Sequence, residues 1–443
     1  MRMPAGWGLT VVAATILACA APLEALDNGL SLKPHMGYNT WNCFFGSISE
    51  GIIKATADVM VDSGLKKAGY EYLVIDDGWS LVKRGSDERI VADPDKFPSG
   101  IKHVSDYIHA KGLKYGMYSD AGLKTCLGLP GSRGKEELDA QYFADLGVDF
   151  LKYDNCAAGP EDWIVDRYTA MRDALNKTGR PILYSMCNWG VGDSWLWGPK
   201  VGNSWRTTAD IAPSWENILR CLDNTIGLSR FAGPGAWNDP DMLEVGNPGL
   251  TVNEQRSHFA LWSLFKSPLF IGADLRSLSR DAKQILTAPE VIAVNQDPLG
   301  VPGDLVWKQG PLEVYAGPLQ GGSRAVVLFN RHAIGTQYPL SNITVTWRQI
   351  GFASDVKATV RDLHAEKDLG TFRHSFSGEV DIHDARMLRV TPHHVRPQYD
   401  SWRPWGAEEV AAHEQRGISL RLPSYPSRHV VSLSLPSRHV VSS

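Results

Sequence analysis

Short apolar runs alternate with amphipathic stretches over the first two thirds of the chain. The runs are rich in aromatic and branched residues and predict strands, whereas the stretches between them have the spacing of helices with one apolar face. Eight such strands separated by helices over about 270 residues predict a (β/α)8 TIM barrel, an α/β fold. The predicted strands are 36–38, 72–76, 115–118, 150–153, 182–186, 204–206, 236–238 and 269–271, and the clearest helical stretches are 49–68, 100–111, 135–146 and 163–176.

A doubly wound open sheet is the alternative that this alternation leaves open. It has less support, because no GxGxxG motif follows a predicted strand. The barrel carries a further prediction, since such barrels place their chemistry at the carboxyl ends of the strands.

The pattern changes after residue 300. The runs 312–315, 324–329 and 343–347 are separated by Gly, Asp and Asn, with no long helical pattern between them. This texture predicts a C-terminal antiparallel β-sandwich domain. We therefore predict a barrel over 26–300, a β domain over 301–392, and a disordered polar tail over 393–443 that carries a short direct repeat.

The N-terminus has the features of a targeting segment. Arg2 precedes an uncharged apolar run over 9–18, and small residues follow as far as Ala25. Residues 1–25 are therefore predicted to be a cleaved secretory signal, which directs the protein outside the cell, to a wall, or to a vacuole-like or lysosome-like compartment. The sequons at Asn176 and Asn342 would be usable glycosylation sites in that pathway.

Composition narrows the choice of partner. The chain has 45 Lys and Arg against 49 Asp and Glu, a net charge of −4, and is 43% hydrophobic. These values are typical of a globular protein, and the lack of a basic excess argues against nucleic acid as a partner. No stretch after the N-terminal run is long and apolar enough to predict a membrane span. The oligomeric state is left open.

Carboxylates follow five of the eight predicted barrel strands. Such a ring of acids could hold a hard metal ion, or it could supply a catalytic pair together with acceptors for sugar hydroxyls. Tryptophans beside the same strand ends favour the sugar, since a metal site does not need apolar platforms. We therefore expect neither a metal nor a cofactor. The acids are Asp76, Asp77, Asp120, Asp154, Asp210, Asp239 and Asp241, and the tryptophans are Trp41, Trp79, Trp189, Trp205 and Trp237.

Six motifs at these strand ends resemble, in the same order, those of glycoside hydrolase family 27, the α-galactosidases. They are MGYNTWN at 36–42, IDDGW at 75–79, YSDAG at 118–122, KYDNC at 152–156, WRTTADI at 205–211 and WNDPDML at 237–243. The resemblance extends to about residue 391. It implies a retaining exo-acting hydrolase that releases terminal galactose through a covalent intermediate, with an α-galactoside as its partner.

The resemblance also assigns roles. Asp154 falls on the nucleophile and Asp210 on the acid/base, whereas Asp239 and Asp241 fall on structural and pocket-lining positions. Lys152 is two residues from Asp154 on the same strand face and is expected to favour its ionised form. The acid should keep its proton if its setting is apolar or like-charged.

Further positions are assigned to the substrate by the same resemblance. Two acids beside the 4- and 6-hydroxyls favour a sugar with a hydroxymethyl group, because a pentose would leave one acceptor unpaired. The implied substrate-binding residues are Trp41, Asp76, Asp77, Tyr118, Lys152, Asn188, Arg206, Asp241 and Met242.

Some positions depart from the family pattern. The resemblance implies a disulfide between Cys126 and Cys156, but Gly78 stands where the family usually has a paired Cys, and the states of Cys43, Cys187 and Cys221 are left open. Asn188 replaces the usual Glu, which makes recognition at the sugar's 2-position the least constrained feature. An α-N-acetylgalactosaminidase, a β-L-arabinopyranosidase and a sugar-binding protein without catalysis are the alternatives.

Overall fold

Eight parallel strands form a closed barrel in the structure, which is a computed structural model describing residues 26–159, 163–335 and 340–393. The strand order is β7-β6-β5-β4-β3-β2-β1-β8. Leu243, just after β7, makes a parallel bridge to Ile271 of β8 and so joins the last two strands. The strands are β1 Met36–Asn39, β2 Tyr72–Val74, β3 Lys114–Asp120, β4 Phe150–Asp154, β5 Leu183–Cys187, β6 Ser204–Arg206, β7 Trp237–Asp239 and β8 Leu269–Ile271.

Helices follow the strands and cover the outside of the barrel. Two of them begin at caps that the sequence encodes: Ser49 accepts the backbone N–H of Ile52, and Thr251 forms a reciprocal capping box with Glu254. The helices are α1 Trp41–Phe44, α2 Glu50–Asp62, α3 Leu65–Ala68, α4 Ile101–Ala110, α5 Glu136–Leu146, α6 Ile164–Lys177, α7 Ser194–Trp197, α8 Trp215–Thr225, α9 Val252–Leu264, α10 Arg280–Leu286 and α11 Pro289–Asn295.

The barrel prediction is confirmed, and the open-sheet alternative is wrong. Gly37 of β1 pairs with Phe270 of β8 in a parallel ladder, and the Leu243–Ile271 bridge joins β8 to the end of β7, so neither β7 nor β8 is left as the free edge of an open sheet. Each predicted barrel strand overlaps an observed one, and the four predicted helical stretches coincide with α2 and α3, α4, α5 and α6.

The chain continues into an antiparallel β domain, as predicted. Six strands form one sheet in the order β14-β13-β16-β11-β10-β9, and β12 pairs with β15 in a second. Alternate residues of the larger sheet point to opposite sides, so Val326 and Leu328 enter the core of the β domain while Val327 and Phe329 join the barrel core. The strands are β9 Asp304–Gln309, β10 Leu312–Pro318, β11 Arg324–Asn330, β12 Ser341–Thr346, β13 Lys357–Asp362, β14 Lys367–Arg373, β15 Ser375–Val380 and β16 Ala385–Pro392.

Polar contacts tie α9 to the β domain. Ser257 donates to the carbonyl of His383 at 2.7 Å, and Arg256 forms an ion pair with Asp384 at 2.6 Å. The barrel and the β domain therefore share both an apolar and a polar interface.

Several sequence predictions concern the periphery. The proposed signal, 1–25, and the tail after residue 393 lie outside the described residues. Asn176 and Asn342 are exposed, so both sequons are sterically accessible and their glycosylation stays a prediction. Within the described ranges, no helix is long and apolar enough to cross a membrane.

Candidate active site

The last residues of adjacent strands bring the predicted acids together. Asp120 ends β3 and Asp154 ends β4, and the two are paired in register, as are Asp154 and Cys187 of β5. Parallel strands end at the same rim, so a side chain at each strand end faces the same opening.

Asp154 is a buried carboxylate with few partners. Its Oδ2 accepts the hydroxyl of Tyr118 at 3.0 Å, and its Oδ1 accepts the backbone N–H of Asn155 at 2.9 Å. Burial raises the pKa of Asp154 to about 6; Lys152 lowers it, as the sequence predicted, but the charge of Asp210 raises it again. Lys152 thus favours the ionised form of Asp154, as expected, but the effect of burial is larger than that of the ammonium.

Asp210 lies in a very different setting. Its side chain is 64% exposed, and its Oδ1 accepts Nη2 of Arg206 at 3.0 Å. The surrounding protein disfavours the charged form, but Arg206 and Lys152 outweigh this effect and lower the pKa of Asp210. The apolar or like-charged setting that would keep a proton on Asp210 is therefore absent from its described surroundings, since its closest charged neighbour is the Arg206 cation.

Asp76 is held in place by the ammonium group of Lys152. Oδ2 of Asp76 accepts Nζ of Lys152 at 2.8 Å and the side-chain amide of Asn39 at 2.7 Å, and Oδ1 accepts the backbone N–H of Asp77. A carboxylate can accept about four hydrogen bonds, so Asp76 keeps capacity for a ligand hydroxyl. Sequence reasoning missed Asn39 even though it lies in a quoted motif, because a strand-ending amide has no distinctive pattern.

Asp77 organises the loops around the opening. Its Oδ1 accepts the backbone N–H of Gly78 and its Oδ2 that of Leu127, each at 2.8 Å. Burial raises the pKa of Asp77, although the backbone donors oppose the shift. Asp77 therefore links the loop after β2 to the loop after β3 across the opening.

Arg206 connects Asp210 to a strained, buried aspartate. Its Nη2 lies 2.8 Å from Oδ2 of Asp241, which also accepts the backbone N–H of Ile211. Asp241 has a φ of 81°, a left-handed value that is costly outside glycine and recurs at functional sites. The N–H of Asp241 in turn donates to Asp239, whose pKa burial raises to about 6.

A cavity lies inside the barrel, and the space within it and at its open mouth amounts to about 430 Å³. Four of the predicted substrate residues line it directly. Asp76 and Asp210 contact the lining residues Lys152 and Arg206, whereas Asp154 is related to the lining through its strand pairing with Cys187. The lining also includes the aromatic rings of His35, Phe150 and Phe270, which nothing in the local sequence pattern marks as site residues. The lining residues are His35, Asn39, Phe150, Lys152, Ser185, Cys187, Arg206, Asp239, Asp241, Met242, Pro268 and Phe270.

Most of the predicted tryptophan platforms are structural. Trp205 and Trp237 are fully buried, and Trp79 is buried while donating its Nε1 to the carbonyl of Tyr118. Trp41 remains partly exposed and packs in one cluster with Met242, as a sugar platform requires. The prediction is wrong for the three buried indoles, since indoles at strand ends can point into the barrel wall.

Asn188 is less directly connected to the site than predicted. Its amide donates to the carbonyl of Val191 at 2.9 Å, and its buried Oδ1 has no hydrogen-bond partner among the described residues. The neighbouring Cys187 lines the cavity instead and lies 3.4 Å from Nη1 of Arg206. Cys187 is thus a site residue that the family pattern did not single out.

The cysteines resolve into one bridge and three thiols within the described chain. Cys126 and Cys156 form a disulfide, whereas Cys43, Cys187 and Cys221 are free. A β-carbon on Gly78 would lie 2.8 Å from Cα of Gly46, so the two glycines touch where the loops after β1 and β2 meet. This contact fits the absence of a cysteine pair at Gly78.

Two carboxylates of contrasting environment, near the carboxyl ends of barrel strands and beside a pocket in the barrel, are typical of (β/α)8-barrel glycoside hydrolases. The model of the family described as "Alpha galactosidase A" matches residues 34–297, and that of the "Alpha galactosidase C-terminal beta sandwich domain" matches 309–390. The chain therefore belongs to the GH27 α-galactosidase family and is a glycoside hydrolase.

Similar proteins cover most of the chain. Alpha-galactosidase 3 of Arabidopsis thaliana is 48% identical over 375 residues, which cover 84% of each protein. Alpha-galactosidase I from Mortierella vinacea has a TM-score of 0.80 and 38% identity, and the match covers 82% of this chain and 98% of that one. A Saccharomyces cerevisiae α-galactosidase solved with raffinose has a TM-score of 0.77 and 33% identity, covering 83% of this chain and 99% of that one.

Proposed function

We propose that the protein is a retaining exo-α-galactosidase that hydrolyses terminal α-linked galactose through a covalent glycosyl-enzyme intermediate. The observation that carries this proposal is the pairing of a buried Asp154 with an exposed Asp210, close enough that the charge of Asp210 raises the pKa of Asp154. The names of the relatives, including the yeast enzyme solved with raffinose, support α-galactosides as substrates.

The two carboxylates divide the reaction between them. An ionised Oδ of Asp154 attacks the anomeric carbon and forms an ester, while Asp210 gives its proton to the departing glycosidic oxygen. Asp210 then removes a proton from water, which cleaves the ester and regenerates both groups. Burial suits the nucleophile, because it must be dry when the oxocarbenium-like transition state forms, and exposure suits the acid/base, because it must admit water.

One proton must be present on the pair for the first step. In the free site the raised pKa of Asp154 and the lowered pKa of Asp210 place that proton mainly on Asp154, the wrong partner. The productive arrangement, with the proton on Asp210, is a minor form of the singly protonated pair. The productive form is favoured as the glycosidic bond breaks, because positive charge developing at the anomeric carbon in the transition state stabilises ionised Asp154.

Sugar recognition follows from the remaining hydrogen-bonding capacity. Asp76 and Asp77 have lone pairs left for hydroxyls, Lys152 and Arg206 line the cavity as donors, and Trp41 supplies an apolar face. The His35 ring packs edge-on against Phe150 and Phe270 in the cavity lining, and these rings fill the barrel interior, which supports entry of a terminal sugar residue and not of a continuous chain.

The deciding experiment is a substrate panel on the purified protein. We expect turnover of nitrophenyl α-galactoside to exceed that of the α-N-acetylgalactosaminide and the β-L-arabinopyranoside, and NMR to show α-galactose as the first product. Asp154→Asn should lose at least about a thousandfold in kcat. A 5-fluorogalactosyl fluoride should label the peptide that contains Asp154. Absence of turnover on all three glycosides, or β-galactose as first product, would refute the proposal.

A further inference from the structure

We propose that the Cys126–Cys156 disulfide masks a zinc site built around the catalytic carboxylate, so that reduction allows a thiophilic divalent cation to bind and silence the enzyme. One ligand atom from each of Asp120, Cys126, Asp154 and Cys156 lies within 4.8 Å of the other three. Metal capture follows from this geometry alone, whereas the loss of activity rests on the proposed role of Asp154.

The sulfur atoms already touch the catalytic group. Sγ of Cys126 lies 3.6 Å from Oδ2 of Asp154 and 3.4 Å from the hydroxyl of Tyr118. Cys126 is exposed, so a soluble reductant can reach the bridge, although Asp154 beneath it is buried. Exposed disulfides are the ones that exchange readily with external thiols.

The donor set suits zinc. Zinc takes four ligands in a tetrahedron and accepts cysteine sulfur at about 2.3 Å and carboxylate oxygen at about 2.0–2.2 Å, which places neighbouring ligands about 3.3–3.8 Å apart. Once the S–S bond is reduced, the two sulfurs must move apart to reach that spacing, while the most distant pair of the four atoms needs to close by about 1 Å. Two thiolates and two carboxylates favour zinc or cadmium over magnesium or calcium, which prefer oxygen alone.

The loops stay together without the disulfide. The backbone N–H of Ala121 donates to the carbonyl of Asp154, and that of Cys156 donates to Oδ2 of Asp120, each at 2.9 Å. Gly122 packs so closely on Cys156 that a β-carbon would lie 2.1 Å from its carbonyl oxygen. Both thiols are thus expected to remain beside the two carboxylates after reduction.

A dithiol reductant transfers two electrons and two protons to the S–S bond and becomes a disulfide itself, leaving two cysteine thiols. Zinc then displaces the two thiol protons to solvent and binds both sulfurs and both carboxylates. An oxygen of Asp154 that coordinates zinc cannot attack an anomeric carbon, so hydrolysis stops until a chelator removes the ion.

The test uses the full chain, reduced with a dithiol, freed of reductant without air, and compared with the oxidised protein. Zinc chloride should lower the hydrolysis of nitrophenyl α-galactoside by about tenfold or more in the reduced protein only, and EDTA should restore it. Equal sensitivity of the oxidised protein to zinc would overturn the proposal.

A spectroscopic measurement covers the case in which reduction alone abolishes activity. Cadmium should give a thiolate charge-transfer band in the reduced protein that is absent from the reduced Cys126→Ser/Cys156→Ser variant, which retains Cys43, Cys187 and Cys221. Asp120→Asn should weaken cadmium binding about tenfold. The same band in the double variant would refute the site, whatever the outcome of the galactoside assay.

Discussion

The hydroxyl of Tyr118 donates to Oδ2 of Asp154 across 3.0 Å, deep in the barrel mouth. Burial and the nearby acids raise the pKa of this phenol well above its usual value, so it stays a donor at every working pH. A neutral donor stabilises the carboxylate without adding a charge that the developing sugar cation would have to oppose.

Tyr118→Phe should therefore raise the pKa of Asp154 and lower kcat/KM about tenfold, since a hydrogen bond to a charged group contributes about 1.5–3 kcal/mol. Tyr153→Phe is the matched control, because the Tyr153 hydroxyl is also buried but has no partner among the described residues. Steady-state kinetics of both variants test the prediction, and equal losses in both would contradict it.

The pH optimum of kcat/KM should be acidic for a substrate with a poor leaving group, such as a disaccharide. As pH rises through the raised Asp154 pKa of about 6, the single proton of the pair is lost and no acid remains, so kcat/KM should fall above about pH 6. It should fall again below the lowered pKa of Asp210, where the nucleophile holds a proton as well.

In the Asp210→Asn variant, kcat/KM for α-galactosyl fluoride should no longer fall as pH rises, because the fluoride leaving group needs no proton. Only the ionisation of Asp154 then matters, so kcat/KM should rise with pH. The pKa of this rise should lie somewhat below about 6, because the charge of Asp210 no longer raises the pKa of Asp154. A rate that still falls with rising pH would show that another group is the nucleophile.

Asp154→Asn should stabilise the fold while abolishing activity. The folded pKa of Asp154 is raised from 3.8 to about 6, so the native state binds this proton more tightly than the unfolded chain and loses stability as pH rises from about 4 to 6. The neutral amide removes that cost, roughly 2–3 kcal/mol at pH 7. Urea unfolding at both ends of this range tests the prediction.

The gain from Asp154→Asn should vanish near pH 4, where the wild-type carboxyl is protonated. Asp210→Asn provides the control, because its exposed carboxylate is paired with Arg206 and its replacement should bring no comparable gain at pH 7. A gain independent of pH would contradict the electrostatic explanation.

Gly78→Ala should destabilise the protein by about 2–4 kcal/mol, because the new methyl group meets the Gly46 backbone at 2.8 Å and φ is +96°. Gly128→Ala separates the two causes, since φ is +79° there but the methyl group would meet nothing within 4 Å. It should cost only about 1–2 kcal/mol. Thermal melts of the two variants measure the difference, which should disappear if φ alone matters.

The strands could be located well from the sequence, because the barrel strands are short runs rich in apolar residues and several of them end on a polar residue, as in the runs ending at Asp120 and Asp154. It could not anticipate how the residues beside those ends interact. Whether burial or Lys152 dominates at Asp154 depends on packing from several elements, and Arg206 at Asp210 is a contact made by a loop. Similarly, His35 and Phe270 meet at the pocket floor although more than half of the chain separates them.

Both faces of the larger sheet of the β domain are packed against apolar residues. Val327 and Phe329 complete the apolar interior of the barrel, while Val326 and Leu328, their neighbours on the same strand, complete the interior on the other side. The segments that the two family models match are thus separate in sequence but depend on each other for stability. Separating them would leave each with an exposed hydrophobic surface.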